Sequence, residues 1–284
     1  MRTTNCWSEP YIDLDDRIKS RVELSEYQAS FLCGLLRECK PQKVLEVGTA
    51  AGGSSCIIMK TLSTLGIDAE LCTVDTSEKY YRDENFETGY LADEFAALTG
   101  FEKLHKYIGK SLAEVIELIG GDIDFVFLDA AHYKPGELID FLVCLPFISK
   151  GAYFVLHDIS LMHKYKNTSN QITANALLFS SVVATKCVNE DIDAYTRNYP
   201  NIGGFICTEE TTKYVENVFL ALFTRWDYLL TREQDNAVKK IISTYYNDEL
   251  YRIYEMAVQL NSYSFNQNTS ENWIKKLFKS ILKG

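Results

Sequence analysis

Short, nearly continuous apolar segments alternate with helical patterns in the first half of the chain. Continuous apolarity over five or six residues is typical of strands that are buried on both faces of a parallel sheet. The segments between them predict helices near 53–65, 91–99, 111–119 and 136–146. Alternating strands and helices indicate an α/β fold with right-handed crossovers and a doubly wound sheet. The predicted strands are Lys43–Val47, Glu70–Val74, Leu104–Ile108, Ile123–Leu128 and Ala152–Leu156.

Additional elements flank these five strands. Ser25 and Gln28 have the spacing of a capping box, and the apolar residues that follow recur at helical spacing, which predicts a leading helix. After the fifth strand, a helix near 172–180 is followed by two further strands, Val182–Val188 and Gly203–Thr208. The sheet is therefore expected to have seven strands.

The pattern is helical from about residue 210 to the end. Thr231 and Gln234 form a second capping-box pattern and predict a long helix that ends near Leu260. A polar linker is expected over Asn261–Ser270. We therefore divide the chain into an N-terminal segment with a leading helix (1–40), a sheet-containing domain (41–208) and a helical extension (209–284).

The segment 271–284 predicts a basic amphipathic helix, with apolar residues on one face and four lysines on the other. Two interpretations remain open. The helix docks on its own domain or on a neighbouring subunit, or it rests on an anionic membrane surface. An extension of this size favours a homo-oligomer, because such additions often bury surface between subunits.

Composition limits the cellular location and the classes of partner that are expected for this protein. A net charge of -10 opposes broad binding to a phosphate backbone, so no nucleic-acid partner is expected. The eight cysteines form no C-x-x-C pair, which argues against a zinc ribbon or a thioredoxin motif. Most of them lie in apolar segments, where cysteine acts as a small hydrophobe. We predict reduced thiols, no secretory signal, no membrane span and a cytoplasmic location, at the inner face of the membrane if the terminal helix binds there.

The clearest chemical signal is a glycine-rich turn between a buried strand and a helix, within Val44–Ser55. Its glycines let the backbone approach a ligand, and the helix that follows presents free N–H groups. The spacing Gly-x-x-x-Gly-Gly departs from the dinucleotide fingerprint G-x-G-x-x-G, which argues against a nicotinamide-dependent oxidoreductase. Glu46, two residues before the first glycine, suits a ligand with an amino group and a sulfonium charge.

A second signal is Asp75, which ends the second predicted strand. A carboxylate at this position can accept both hydrogen bonds of a ribose diol. Its alternative role is to cap the turn Asp75-Thr-Ser.

Glu46-x-Gly48-x-x-x-Gly52 followed by Asp75 resembles the first two cofactor motifs of class I S-adenosylmethionine-dependent methyltransferases. The resemblance covers about residues 25–208 and implies a Rossmann-like doubly wound sheet of seven strands, mostly parallel with a last antiparallel strand, plus a C-terminal helical extension. Asp75 would then hold the ribose, and Ser111, after Gly109, would flank the adenine. The residues implied for the methionine part of the cofactor are Glu46, Gly48, Thr49, Gly52, Gly53 and Ser54, with Asp129 also beside the cofactor.

Two further segments, Phe125–Tyr133 and Val155–Ile159, resemble bacterial O-methyltransferases of the group that includes macrocin O-methyltransferase and cephalosporin-hydroxylase-like proteins. In metal-dependent relatives, an acid after the fourth strand and an acidic pair after the fifth hold a divalent cation. Asp129 and Asp158 match two of these positions, and His157 replaces the third acid. Magnesium prefers oxygen ligands, whereas histidine suits manganese, zinc or iron.

Glu46, Asp75, Asp129, His157 and Asp158 all fall at carboxyl ends of predicted strands, where open parallel sheets bind ligands. Methyl transfer needs an aligned acceptor that loses its proton, to a base or through a cation. His157 and His132 are the candidate bases, with Asp129 as a further catalytic group. Asp129 and Asp158 are the candidate ligands of magnesium or manganese.

The expected function is O-methylation of a hydroxyl on a sugar or another small polyhydroxylated molecule, which includes a cell-surface glycan or its lipid-linked precursor. This expectation rests on the named relatives and on two mixed aromatic and polar segments, Tyr80–Phe86 and Leu161–Lys166, that would border the pocket. A metal-dependent hydroxylase-like member of the same group and a non-catalytic relative of the fold remain as alternatives.

Overall fold

The structure is a computed structural model that describes residues 1–161, 173–189 and 201–281, with side chains up to Phe265. The described strands form one sheet in the order β1-β7-β8-β6-β5-β2-β3-β4. All neighbours pair in parallel except β8, which is antiparallel to both β6 and β7. The strands are β1 (Arg2–Thr4), β2 (Lys43–Val47), β3 (Glu70–Asp75), β4 (Leu104–Ile108), β5 (Ile123–Leu128), β6 (Ile148–His157), β7 (Thr185–Asn189) and β8 (Ile202–Ile206).

The seven predicted strands and the antiparallel last strand are confirmed. The eighth strand, β1, extends the sheet beyond β7 and was not predicted.

The helices of the described residues are α1 (Glu9–Ile12), α2 (Asp16–Lys19), α3 (Glu26–Cys39), α4 (Gly53–Leu65), α5 (Tyr90–Thr99), α6 (Leu112–Ile119), α7 (Gly136–Cys144), α8 (Ala174–Ser181), α9 (Glu209–Lys213), α10 (Glu216–Ala221), α11 (Arg232–Tyr245) and α12 (Asp248–Ile281), with a 3₁₀ turn at Leu145–Phe147.

Local sequence signals explain where the two best-capped helices begin. The hydroxyl of Ser25 accepts the backbone N–H of Gln28, and the Gln28 side chain accepts the N–H of Ser25 in return. Thr231 and Gln234 make the same reciprocal pair at the start of α11. Both predicted capping boxes are therefore confirmed.

The helical extension differs from the prediction in two ways. The single helix expected up to Leu260 is two helices, because the chain leaves the helical conformation at Tyr246 and Asn247 caps the next helix by accepting the N–H of Leu250 at 2.9 Å. The linker expected over Asn261–Ser270 is wrong, since α12 continues through it to Ile281. Asn261 is buried there and accepts the N–H of Trp226 at 2.8 Å, so its polarity satisfies buried backbone and does not mark a loop.

Alternating residues of β5 enter two apolar clusters, one on each face of the sheet. Phe125 and Phe127 pack with α3, α4 and α5 on one face. Val126 and Leu128 pack on the other face with α6, α7 and the extension. The sheet is therefore buried on both sides, as the continuous apolarity of its strands predicts.

Two expectations fall on parts that the structure leaves undescribed. These are most of the segment Leu161–Lys166 and the side chains of the basic helix 271–284. Among the described residues, no helix combines the length and the apolarity that a membrane span requires.

Candidate active site

A cavity of about 720 Å³ opens at the carboxyl ends of β2, β3, β4 and β5. It is lined by the glycine-rich loop, by residues that follow these strands and by side chains of the helical extension. The lining residues that the sequence predicts are Gly48, Thr49, Gly53, Ser54, Asp75, Ser111, Asp129 and His132.

The glycine-rich loop lies against the end of β5. Gly48 has φ +97°, and a Cβ at this position would lie 2.0 Å from the carbonyl oxygen of Asp129, so only glycine fits. The Thr49 hydroxyl shares a 2.6 Å hydrogen bond with that of Thr73, which holds the loop to β3. None of the side chains that the structure describes caps the N-terminus of α4, whose N-cap residue is Gly52. The first N–H groups of α4 therefore remain without a side-chain acceptor beside the cavity.

Asp75 ties the loop to β3. One of its oxygens, Oδ2, accepts the backbone N–H groups of Thr49 at 2.9 Å and Ala50 at 3.1 Å. The other, Oδ1, accepts the N–H of Ser77 at 2.9 Å. The carboxylate thus organises the loop and still lines the cavity.

Glu46 and Gly52 lie behind the loop and outside the cavity lining. Glu46 is fully buried; the Ser55 hydroxyl donates to its Oε2, and its Oε1 has no hydrogen-bond partner. Burial raises the pKa of Glu46 to about 7, against the opposing effect of hydroxyl donors such as Ser55. A Cβ on Gly52 would meet the backbone nitrogen of Ala92 at 2.8 Å, so this glycine permits close packing on α5.

Two acids and two histidines meet beyond the loop, after β5 and at the end of β6. His157 Nδ1 lies 2.9 Å from Asp129 Oδ1, and His132 Nε2 lies 3.1 Å from Asp158 Oδ2. His132 Nε2 is also 3.7 Å from Asp129 Oδ1. One donor atom each of Asp129, His132 and Asp158 lies within 4.8 Å of the others, a spacing compatible with a shared metal ion. We call these four side chains the acid–histidine cluster.

Charge compensation within the cluster shifts its pKa values. Burial opposes ionisation of Asp129, but the imidazoles of His157 and His132 outweigh it and lower the pKa of Asp129. Burial likewise opposes protonation of His132, yet Glu137, Asp129 and Asp158 raise its pKa to about 9. The pKa of His157 is raised against its burial by Asp129. Without a bound cation, the cluster therefore favours a protonated His132 at neutral pH.

Surrounding groups fix the orientation of the cluster. His132 and Asp158 both have positive φ, at +60° and +57°. Residues other than glycine rarely adopt this conformation, and the cases that occur are frequently found at functional sites. The backbone N–H of His132 donates to the buried Glu137 at 2.7 Å, and Asn175 donates to the carbonyl of His157 at 2.7 Å. Asn201 donates to Asp158 Oδ1.

His157 and Asp158 are buried and lie outside the cavity lining, whereas Asp129 and His132 reach it. Sequence reasoning missed three parts of the wall. The segment before α3 contributes Arg21, Glu23 and Leu24; α7 contributes Ile139 and Asp140; and the extension contributes Tyr228, Leu230, Gln234 and Val238. These residues do not follow strands, so the rule that places ligands at strand ends could not find them.

Comparison with known proteins agrees with this geometry. Residues 45–159, from β2 to just past β6, match the family model described as a methyltransferase domain. No curated protein matches the chain in sequence.

Solved structures match the fold over most of their length. A putative O-methyltransferase from Klebsiella pneumoniae is 16% identical with a TM-score of 0.50, and the match covers 70% of this chain and 93% of that one. An O-methyltransferase from Bacillus cereus in complex with S-adenosylhomocysteine is 19% identical (TM-score 0.49, 70% and 94% covered). TomG from Streptomyces achromogenes, an O-methyltransferase of tomaymycin synthesis in complex with S-adenosylmethionine, is 21% identical (TM-score 0.47, 71% and 86% covered). At these identities the matches bear on fold alone, and the Klebsiella match supports it.

Proposed function

We propose that this chain, whose residues 45–159 match the family model described as a methyltransferase domain, transfers a methyl group from S-adenosylmethionine to a hydroxyl oxygen of a small acceptor. The observation that carries the proposal is the continuity of the cavity. It runs from the glycine-rich loop past Asp75 to Asp129 and His132, and its volume of about 720 Å³ suits a nucleoside cofactor with an adjoining small molecule.

The loop and Asp75 suit different parts of the cofactor. The uncapped N-terminus of α4, with Ser54 at the cavity wall, suits the carboxylate of the methionine moiety. Asp75 Oδ1 accepts one backbone N–H and retains acceptor capacity for a ribose hydroxyl. Ser111, which lines the cavity at the start of α6, would lie beside the base. When bound, the cofactor supplies an electrophilic methyl group on a sulfonium.

We infer that the acid–histidine cluster prepares the acceptor. Asp129, His132 and Asp158 offer two carboxylate oxygens and one imidazole nitrogen, a donor set that fits a divalent cation, manganese better than magnesium. A cation held there would lower the pKa of a bound hydroxyl. The pKa of about 9 for His132 disfavours it as a general base in the metal-free protein, because it already carries a proton at neutral pH.

His157 has a different part in this scheme. It is buried behind Asp129, and its Nδ1 contacts that carboxylate at 2.9 Å. We infer that it orients Asp129 and balances its charge, and that it does not touch the acceptor. The residues that would meet the acceptor are those of the cluster that line the cavity, Asp129 and His132.

The proposed acceptor is a sugar or another small polyhydroxylated molecule. Two exposed tyrosines, Tyr81 and Tyr133, border the cavity, and aromatic faces with phenolic hydroxyls suit the mixed apolar and polar faces of a sugar. Glu23, which accepts the Tyr81 hydroxyl at 2.6 Å, adds a carboxylate at the same mouth. A glycan precursor at the membrane, reached through the helix 271–284, and a homodimer formed by the extension belong to this proposal as well.

A metal-dependent hydroxylation is the second candidate, and the presence of a histidine among the candidate metal ligands of the acid–histidine cluster is the observation that favours it. Mononuclear iron oxygenases typically use two histidines and one carboxylate, whereas this cluster offers two carboxylates and one histidine among the three close donors. Methyl transfer is therefore favoured, and metal analysis of the purified protein discriminates the two.

The direct test is isothermal titration calorimetry with S-adenosylhomocysteine on the wild type, on Asp75→Ala and on Asp68→Ala. Asp68 is a matched control, because its side chain is 86% exposed and pairs with Lys103 away from the cavity. We expect micromolar binding by the wild type and Asp68→Ala, and at least tenfold weaker binding by Asp75→Ala. Absence of binding by the wild type, with and without added manganese, would overturn the proposal.

A further inference from the structure

The helical extension forms one wall of the cofactor cavity. Tyr228 and Leu230, from the segment between α10 and α11, and Gln234 and Val238, from the first turns of α11, line the same space as the glycine-rich loop. The match to the methyltransferase domain family ends at residue 159, so this wall lies outside the matched residues.

The wall is held in place by direct contacts with the domain. The backbone N–H of Asp227 donates to the carbonyl of Lys134 at 2.8 Å, and the N–H of Lys134 donates to the Asp227 carboxylate at 2.9 Å. The preceding residue, Trp226, is fully buried and donates its backbone N–H to Asn261. Tyr228 and Leu230 therefore follow an anchored segment, and the wall is formed before any ligand binds.

Helices α6 and α7 contribute further lining residues beside the extension. Leu112 and Ala113 follow Ser111, and Ile139 and Asp140 lie on α7. Five of these lining residues from α6, α7 and the extension are aliphatic, and Tyr228 adds an aromatic ring, a composition that suits the faces of a flat heterocycle. Leu112 and Ala113 directly follow Ser111, which comes after β4. Strand β4 is the neighbour of β3, and β3 ends in the proposed ribose ligand Asp75. The base attached to that ribose would enter this space.

Asp140 is the charged side chain among the lining residues that α6, α7 and the extension contribute. It is half-buried, it lines the space, and it makes no hydrogen bond or ion pair with any residue that the structure describes. Burial, reinforced by Glu137, raises its pKa to about 8. An acceptor that is removed from water without a donor is unfavourable, and a ligand N–H group would satisfy it.

We propose that Asp140 accepts a hydrogen bond from the exocyclic amino group of the cofactor's adenine, in a slot that the helical extension closes. This inference rests on the proposed function, because it places the adenine of S-adenosylmethionine beyond Asp75. Asp140 is a residue that selects the base, and Leu230 and Val238 cover one face of the ring.

The test compares two ligands on three proteins. The ligands are S-adenosylhomocysteine and its analogue with hydrogen in place of the 6-amino group, and the proteins are the wild type, Asp140→Leu and Asp140→Asn. The wild type is expected to bind the amino ligand about tenfold more tightly, the worth of one hydrogen bond. Asp140→Leu should bind both ligands equally, and Asp140→Asn, which keeps a carbonyl acceptor, should retain the preference.

The analogue separates recognition from folding, since a variant that binds it as the wild type does has an intact site. Equal preference in the wild type and Asp140→Leu would overturn the role of Asp140. If the wild type binds neither ligand, the proposed function itself has failed. This result differs from the equal preference that would overturn the role of Asp140 alone.

A second pair of variants tests the wall. Leu230→Ala is expected to weaken both ligands by the same factor of about tenfold, because it removes apolar contact from the ring without affecting the amino group. Leu229→Ala is the matched control, since Leu229 is 39% exposed and does not line the cavity. Unchanged affinity of Leu230→Ala for both ligands would show that the extension does not contact the base.

Discussion

At the scale of single residues, three carboxyl groups near the cavity differ in how their charge is compensated. Asp129 lies beside two imidazoles, which lower its pKa despite burial. Among the described residues, Glu46 has a hydroxyl donor but no cation beside it, and Asp140 has neither. Burial therefore raises the pKa of Glu46 to about 7 and that of Asp140 to about 8. Asp129 is ionised for contact with a cation or an acceptor, whereas the other two favour the neutral form.

The raised pKa of Glu46 predicts a specific pH dependence of stability. Its folded pKa of about 7 lies above the ordinary glutamate pKa of 4.5, so the folded protein binds this proton more tightly than the unfolded chain does. The contribution to stability is fully present below pH 4.5 and is lost as the pH rises to about 7, by at most about 3 kcal/mol. Glu46→Gln is neutral at every pH and should not show this loss.

Urea unfolding between pH 4.5 and 8 measures the effect as the difference between wild type and variant. As the pH rises, the free energy of unfolding of the wild type should decrease relative to that of Glu46→Gln. Glu26→Gln, an exposed first-turn residue of α3, should follow the wild type throughout. A difference between Glu46→Gln and wild type that is constant with pH would contradict the prediction.

The sequence locates the residues at strand ends better than the rest of the site. Asp75 and Asp129 follow buried strands whose bounds are visible in the apolar pattern, and both line the cavity. Whether a side chain then points into the cavity or behind the loop depends on the local path of the backbone, which places Glu46 and His157 outside the lining. Asp140 carries no sequence signal at all, because an acid on an amphipathic helix is ordinary.

At the scale of elements, buried strands are predictable because they are continuously apolar. β2, β4 and β5 begin and end at the predicted residues. The edge strand β1 is three residues long, polar and half-exposed, and its pairing with β7 is a long-range contact that no local pattern encodes. β6 starts four residues earlier than predicted, since Ile148–Gly151 includes a lysine and a glycine that obscure the pattern.

The extension shows how buried polar residues mislead sequence reasoning. Asn261 donates to the carbonyls of Leu222 and Ala257 and accepts the N–H of Trp226, so one side chain satisfies three backbone groups. In sequence it begins a polar stretch that is typical of a linker. Tertiary packing decides its role, and α12 passes through it without a break.

Asn261→Ala is therefore expected to lower the free energy of unfolding by about 2 kcal/mol, because it leaves a buried N–H of Trp226 without an acceptor and opens a small cavity. Urea unfolding measures the change. Asn236→Ala, at an exposed position of α11, is the control and should stay within about 0.5 kcal/mol of the wild type. An equal effect of the two substitutions would show that the Asn261 contacts add nothing to stability.

At the scale of the whole molecule, the extension and the sheet share one apolar cluster. Phe219, Trp226 and Ile241 of the extension pack in the same cluster as Leu128 and Phe154 of the sheet. A phenolic hydroxyl also bridges the two parts, since Tyr246 donates to the carbonyl of Leu142 at 2.6 Å. Packing therefore does not separate the sheet from the extension at the predicted boundary near residue 208.

We therefore expect the sheet and the extension to unfold as one cooperative unit. In native-state hydrogen exchange, the most protected amides of β5 and α11 should open with the same free energy, within about 1 kcal/mol, while the four-residue helix α1 opens locally at lower cost. Because the proposed cofactor contacts both parts, S-adenosylhomocysteine at 100 times its Kd should raise both values equally, by about 2.7 kcal/mol. If the amides of α11 exchange at much lower free energy than those of β5, the extension is an independent unit. If they gain no protection from the ligand, the cavity wall that the extension provides is not used.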